Sequence, residues 1–194
     1  ITVVFGAVFA SVLALMKMSK IPPLRWLSTI YIEIIRGTPM LLQLYFFYFG
    51  LPILIPALTK QKFLCIAIAL ICNSAAYVSE VIRSGIQSVD AGQSEAAMSL
   101  GMNSFQRTWY ILVPQALKTI LPALGNEFIM IVKDTSLASV IGTVEMFTRA
   151  KQIVASPNTP GMLALAAAGL FYYVFNYIVA FAMERAERSL AYYQ

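Results

Sequence analysis

Glu95-Ala96-Ala97-Met98-Ser99-Leu100-Gly101, followed after nine residues by Ile111-Leu112-Val113-Pro114, is a Gly- and Pro-punctuated stretch between two strongly apolar segments. Ala and Met are good helix formers. Gln93 to Met102 therefore reads as a short helix, with Gly101 near its C-terminal end. Asn103 or Ser104 can cap a second short helix running through Tyr110. Pro114 is expected to interrupt the chain beyond it, because it has no N–H to donate. Two short helices at the surface of an apolar body would form a rigid protrusion. Ala96 and Ala97 would let a partner surface approach closely, and Met98, Leu100 and Met102 would supply an adaptable apolar face. Glu95 can either bond a basic group on a partner or cap its own helix.

The segments on either side of this loop decide the class. The chain has 194 residues, 59% hydrophobic and 12% charged, against roughly 25% charged in soluble domains. Too little polar surface remains for a soluble globule, and the expectation is an integral membrane protein. A crossing helix needs about 20 apolar residues. Five candidates emerge: Ile1 to about Met18, about Leu27 to Gly50, Phe63 to about Arg83, about Ile120 to Ile141, and Met162 to Met183. No alternating ten-residue pattern suggests a β-barrel. The expected fold is all-α and polytopic, one transmembrane domain over 1–194. Ile1 already stands inside an apolar run, so an N-terminal flank is expected before it.

Charge then orients the spans. Lys17, Lys20, Arg25, Arg83, Arg107, Lys118, Arg185 and Arg188 fall on one side, eight basic residues; Lys60, Lys62, Arg149 and Lys151 fall on the other, four. The richer side is cytoplasmic by the positive-inside rule. The N-terminus is then outside, the C-terminus inside, and the Glu95 loop cytoplasmic. The net charge of +5 needs no nucleic-acid partner to explain it, since no basic patch with interleaved aromatics is present. There is no His, which removes the commonest proton shuttle and metal ligand. Cys65 and Cys72 share one apolar run and read as packed thiols, not as a disulfide or zinc site. No Gly-x-x-x-x-Gly-Lys-Ser/Thr loop, His-Glu-x-x-His or Gly-x-Ser-x-Gly occurs, so no ATP-phosphate, metal or catalytic site is expected on this chain.

The Glu95-Ala96-Ala97…Gly101…Ile111-x-Val113-Pro114 spacing resembles the EAA loop of permease subunits in ATP-binding-cassette importers. Val113 stands where Leu is usual, which keeps an apolar side chain. Ile35-Arg36-Gly37-Thr38-Pro39 followed by Met40, Leu41, Leu42 and Gln43, the string Asn73-Ser74-Ala75-Ala76-Tyr77-Val78-Ser79-Glu80, and Lys133-Asp134-Thr135-Ser136-Leu137 look like the polar amino-acid branch of that family. The resemblance runs from about Leu13 to about Arg185. It implies a type I importer permease of the histidine, arginine or glutamine uptake kind in a bacterial plasma (inner) membrane. It also implies docking of a separate ATPase, which carries ATP and Mg, on Glu95, Ala96, Ala97, Gly101, Met102 and Pro114. A second identical or homologous permease and an extracytoplasmic substrate-binding protein complete the assembly, which works by alternating access. The rival class, an ion-gradient-driven secondary transporter, would be expected to show internal repeats and more spans.

The substrate path is read from polar residues at membrane depth, where ionisable groups are costly and face a cavity or partner. Free N–H groups at breaks near Gly37-Thr38 and Thr135-Ser136 suit a substrate carboxylate. Asp134 and Glu145 suit an ammonium or a cationic side chain, with Glu127 a further carboxylate. Lys133 and Asp134 could instead neutralise each other. Asn73 and Tyr77 lie one helical turn apart and could line the same space. Glu80 could simply pair with Arg83, three residues on, with no role in the path.

Overall fold

The structure, a computed structural model, describes residues 2–156 and 161–190; Ile1, where the first expected span begins, lies outside them. No strand occurs among the described residues. In chain order the helices are α1 (Thr2–Met18), α2 (Pro22–Arg36), α3 (Met40–Leu54, with a π turn at Phe46–Gly50), α4 (Lys62–Gln87) and α5 (Ala91–Ser99). They continue as α6 (Val113–Asp134), α7 (Met146–Val154) and α8 (Gly161–Leu190).

Helix α4 is the hub, packing against α1, α2, α3 and α6, while α8 leans on α6 and α7. Small residues permit this closeness. Ala10, Leu13, Ile32, Ala75 and Val78 bury one core among α1, α2 and α4. A second core joins Leu44 and Tyr48 of α3 to Ile66, Ala69 and Leu70 of α4 and to Ala138. By length and apolarity, α4 and the Met162–Ser189 part of α8 can each cross a membrane unaided, and α2 with α3 makes a third crossing if the bent pair is one span. Helix α1 is apolar but only 17 residues long. Gln115, Lys118, Asn126 and Glu127 make α6 too polar to count with them; it faces α4 and α8 instead.

The break expected near Gly37-Thr38 is present and sharp: the second span is not one rod, and α2 and α3 meet at 106°. Proline cannot supply the N–H that would carry the helix through Pro39, and the carbonyls left over at the end of α2 find other donors. Gly37 N makes the last ordinary helical bond, to Glu33 O at 2.8 Å; Thr38 Oγ1 then donates to Ile34 O at 2.9 Å and Gln43 Nε2 to Ile35 O at 2.7 Å. Pro114, in turn, does not interrupt the chain. The turn Ser104–Gln106 runs through a π turn at Arg107–Leu112 directly into α6, where Pro114 sits in the first turn. A proline is tolerated there because it directly follows the π turn, whose last bond runs from Val113 N to Thr108 O, so the i→i−4 ladder is already interrupted where the proline lacks its N–H. The expected break at Lys133–Leu137 is present as a change of winding: α6 ends at Asp134 and a 3₁₀ helix runs from Thr135 to Ile141.

Candidate functional site

Two places concentrate chemistry, and α4 with its downstream loop connects them. The first is the surface loop. Asp90 caps α5, its Oδ1 accepting from Gly92 N at 2.6 Å. Glu95 therefore does not cap the helix, and no hydrogen bond or ion pair engages its carboxylate among the described residues. The helix ends in a Schellman motif: Met102 N donates to Ala97 O at 3.1 Å and Gly101 N to Met98 O at 2.9 Å, with Gly101 at φ +76°. Asn103 then opens the next turn with a reciprocal capping box, exchanging bonds of 2.9 and 3.0 Å with Gln106.

Helix α5 packs on the Arg107–Leu112 turn. Ala97 is buried, whereas Glu95, Ala96, Met98 and Gly101 are exposed and Leu100 is 82% exposed. Phe105, Trp109 and Tyr110 extend the exposed apolar surface. Met102 and Pro114 are half-buried; they support the loop from beneath. A sequence reading that follows helix formers and glycines misses the aromatic residues, which carry no spacing signal of their own.

The second place is a cavity of about 190 Å³ between α4 and α6, with Met40 at the start of α3 also on its wall. Asn73, Ser74 and Tyr77 line it from α4; Glu127, Met130, Ile131 and Asp134 line it from α6. Glu127 and Asp134 lie seven residues, about two turns, apart on one face. Lys133 and Asp134 form no ion pair among the described residues, so the Asp134 carboxylate is not neutralised by its neighbour. The N-terminus of α3 has no side-chain cap, and Met40 of that turn lines the cavity. Thr38 reaches the cavity wall indirectly: Gln43 Nε2 donates to Thr38 Oγ1 at 2.8 Å, and Asn73 Nδ2 donates to Gln43 Oε1 at 2.9 Å.

Other expected residues are placed elsewhere. Thr135 Oγ1 donates to Val132 O at 2.6 Å and Ser136 Oγ to Lys133 O at 2.7 Å, both back onto their own helix. The winding is continuous there, so that break offers no free N–H groups. Glu145 is the N-cap of α7, accepting from Phe147 N and Thr148 N at 2.6 Å each. It is outside the cavity, and the Thr148 hydroxyl adds a third bond at 2.8 Å. Gln43, which is 5% exposed, lies behind the cavity wall, bonded to Asn73, and the sequence reading assigned it no role.

A charge cluster lies one turn of α4 further toward the loop. Glu80 holds Lys17 Nζ at 2.7 Å and Arg83 Nη2 at 2.8 Å, with Arg36 Nη1 at 3.8 Å. The same Arg36 guanidinium sits 5.5 Å from the Tyr77 ring centroid, so it touches both the cluster and a cavity-lining residue. Glu80 thus pairs with α1 as well as with Arg83. A larger groove of about 440 Å³, at the far end of α8 beside Glu184, Arg185 and Arg188, is lined among the described residues by that helix alone. The smaller cavity is the better site, because groups from three elements converge on it.

Residues 3–192 match the family of binding-protein-dependent transport system inner membrane components. Two relatives in Bacillus subtilis (strain 168) are each 40% identical. A probable amino-acid permease, YxeN, aligns over 97% of this chain and 84% of its own length; the arginine transport system permease ArtQ aligns over 98% and 86%. A crystal structure of an amino acid ABC transporter with histidines superposes with a TM-score of 0.83 at 39% identity, covering 97% of this chain and 86% of that one. An inward-facing form of the methionine transporter MetNI superposes at 0.78 with 16% identity, a likeness of fold alone.

Proposed function

This chain belongs to the family of binding-protein-dependent transport system inner membrane components, and from that premise we propose that it is the transmembrane permease of an ATP-driven importer for a basic amino acid. It works as a transport subunit in the bacterial plasma membrane. The exposed loop of Glu95, Ala96, Met98, Leu100 and Gly101 receives a separate ATPase, which carries ATP and Mg. A second permease subunit completes the pathway and an extracytoplasmic binding protein delivers the amino acid. The relatives named as amino-acid permeases support this reading.

The observation that carries the substrate class is the lining of the 190 Å³ cavity, where Glu127 and Asp134 present two carboxylates on one face of α6. A basic amino acid has an ammonium and a cationic side chain to pair with them. The uncapped N-terminus of α3, with its partial positive charge, suits the substrate carboxylate. Alternating access then needs no chemistry on the substrate, only a change in which side the cavity opens.

The test is uptake of labelled L-arginine into proteoliposomes holding the permease, its ATPase and its binding protein. Transport should require ATP, and an ion gradient alone should drive none. Glu127→Gln and Asp134→Asn should each weaken L-arginine binding to the permease–ATPase complex. Loss of one partner of a desolvated charge pair costs roughly 2–5 kcal/mol, about 30-fold or more in affinity. Unchanged affinity in both variants, or uptake driven by a gradient without ATP, would overturn the reading.

A further inference from the structure

The bend between α2 and α3 leaves one buried amide whose orientation is forced, and the consequence reaches the cavity. Gln43 Nε2 lies 2.7 Å from Ile35 O and 3.0 Å from Thr38 O. A backbone carbonyl only accepts, so the atom facing them must be the NH₂ of Gln43. The Thr38 hydroxyl, which donates its proton to Ile34 O at 2.9 Å, lies 2.8 Å from the same NH₂, whose two protons are shared among these three acceptors. The Gln43 oxygen must then face away from the bend, toward Asn73. An oxygen demands a donor, so the Asn73 atom at 2.9 Å is its own NH₂. Side-chain amides are ordinarily ambiguous by 180°. Here two backbone carbonyls settle both of them in sequence.

We propose that Gln43 is a positioning residue for the cavity: it locks the Asn73 amide so that Oδ1, an acceptor to which no described residue donates, is the atom offered to the substrate. This rests on the reading of the cavity as the substrate site. The Asn73 corner then accepts a substrate N–H, as the Glu127 and Asp134 carboxylates do, and rejects an acceptor in the same position. A free asparagine would offer either end of its amide and discriminate nothing. Gln43 touches no substrate in this scheme. It acts through Asn73, and it can do so because it is buried with both ends of its amide engaged.

The experiment measures L-arginine binding to the purified permease–ATPase complex by calorimetry, comparing Gln43 with Gln43→Met in three backgrounds. With Asn73 present, Gln43→Met should weaken binding about three- to tenfold, the range of one to two ordinary hydrogen bonds. With Asn73→Leu it should change nothing, since there is no amide to orient. With Asn73→Asp the penalty should vanish or reverse, because both carboxylate oxygens accept and need no lock, and the Gln43 oxygen would then face an atom with no proton to give it. The same penalty in all three backgrounds would mean that Gln43 only braces the bend, and would overturn the proposal. Should Gln43→Met fail to assemble, Asn73→Asp should still bind L-arginine more tightly than Asn73→Leu; equal losses would overturn the assignment of Oδ1. Glu127→Gln separates the two levels. If it weakens binding while the Asn73 variants do not, this inference alone fails. If Glu127→Gln and Asn73→Leu are both silent, the cavity is not the site and the proposed function fails with it.

Discussion

Gly101 holds φ at +76° with open space where a side chain would go: a Cβ there would meet nothing within 4 Å. Any penalty for substitution is therefore conformational and not steric. An L-residue forced left-handed costs about 1–2 kcal/mol, more for a β-branched one. Gly101→Val should loosen the turn between α5 and the Asn103 cap. Uptake should fall and ATP hydrolysis should become uncoupled from it, with membrane insertion normal; full transport in this variant would remove the loop from the coupling role. The glycine was legible in the sequence because a helix end demands one. Glu145 was not legible in the same way. In sequence, a carboxylate shortly after Gly142 is indistinguishable from a cavity ligand. Its partners decide, and three donors at the start of α7 satisfy it. Glu80 poses the reverse case, since its partner Lys17 lies 63 residues away and no local spacing announces it. Removing its charge by Glu80→Gln leaves Lys17, Arg36 and Arg83 facing one another. The cost should be about 2–3 kcal/mol, less than the ~3–5 of a fully buried pair because Arg36 is 43% exposed. Thermal unfolding of the detergent-solubilised protein would read it; an unchanged midpoint would mean that water already screens the cluster.

Between elements, the tightest approach is α4 on α6. A Cβ added at Gly85 would lie 2.2 Å from Ile120 Cγ1 and 3.4 Å from Ala116 O. Gly85→Ala should push the helices apart at a cost of about 1–3 kcal/mol, the range for overpacking, and Ile120→Ala in the same chain should recover part of it. Stability of both variants in detergent checks this, and a neutral Gly85→Ala would show that Ile120 simply rotates away. Element boundaries were readable where local chemistry sets them: the Asn103 cap, the Gly101 stop and the change of winding after Asp134. The 106° bend was not. Arg36-Gly37-Thr38-Pro39 announces an irregularity, but its angle depends on Gln43 reaching back to Ile35 and Thr38, and that is a tertiary fact. The Asn73–Tyr77 face of α4 was readable from helical spacing, whereas its meeting with Glu127 depends on how α4 and α6 cross.

For the whole molecule, the apolar faces that remain exposed are as informative as the buried core. Little of α8 is buried within the single chain, and α1 presents Val4, Phe5, Val8 and Leu15 outward. Such surfaces fit an apolar environment or a further apolar protein face. The topology inferred from basic residues makes a direct prediction. Cysteine labels at Ser99 and Ser189 should react only from the cytoplasm, and labels at Thr59 and Ser156 only from outside. Reaction of Ser99 from outside would overturn the orientation and the ATPase docking together. From Ser104 to Asp134 the chain winds without a gap through the π turn, about 45 Å at 1.5 Å per residue. One end carries the exposed aromatic residues of the loop and the other carries Glu127 and Asp134. The two sites therefore share a single lever, with the π turn and Pro122 as its points of flexure. Reciprocity follows from thermodynamics: if cargo in the cavity favours one position of the lever by some factor, the grip at the far end must favour the same position by that same factor. In the proposed assembly, filling the cavity would then change how tightly the loop is held before any nucleotide is hydrolysed.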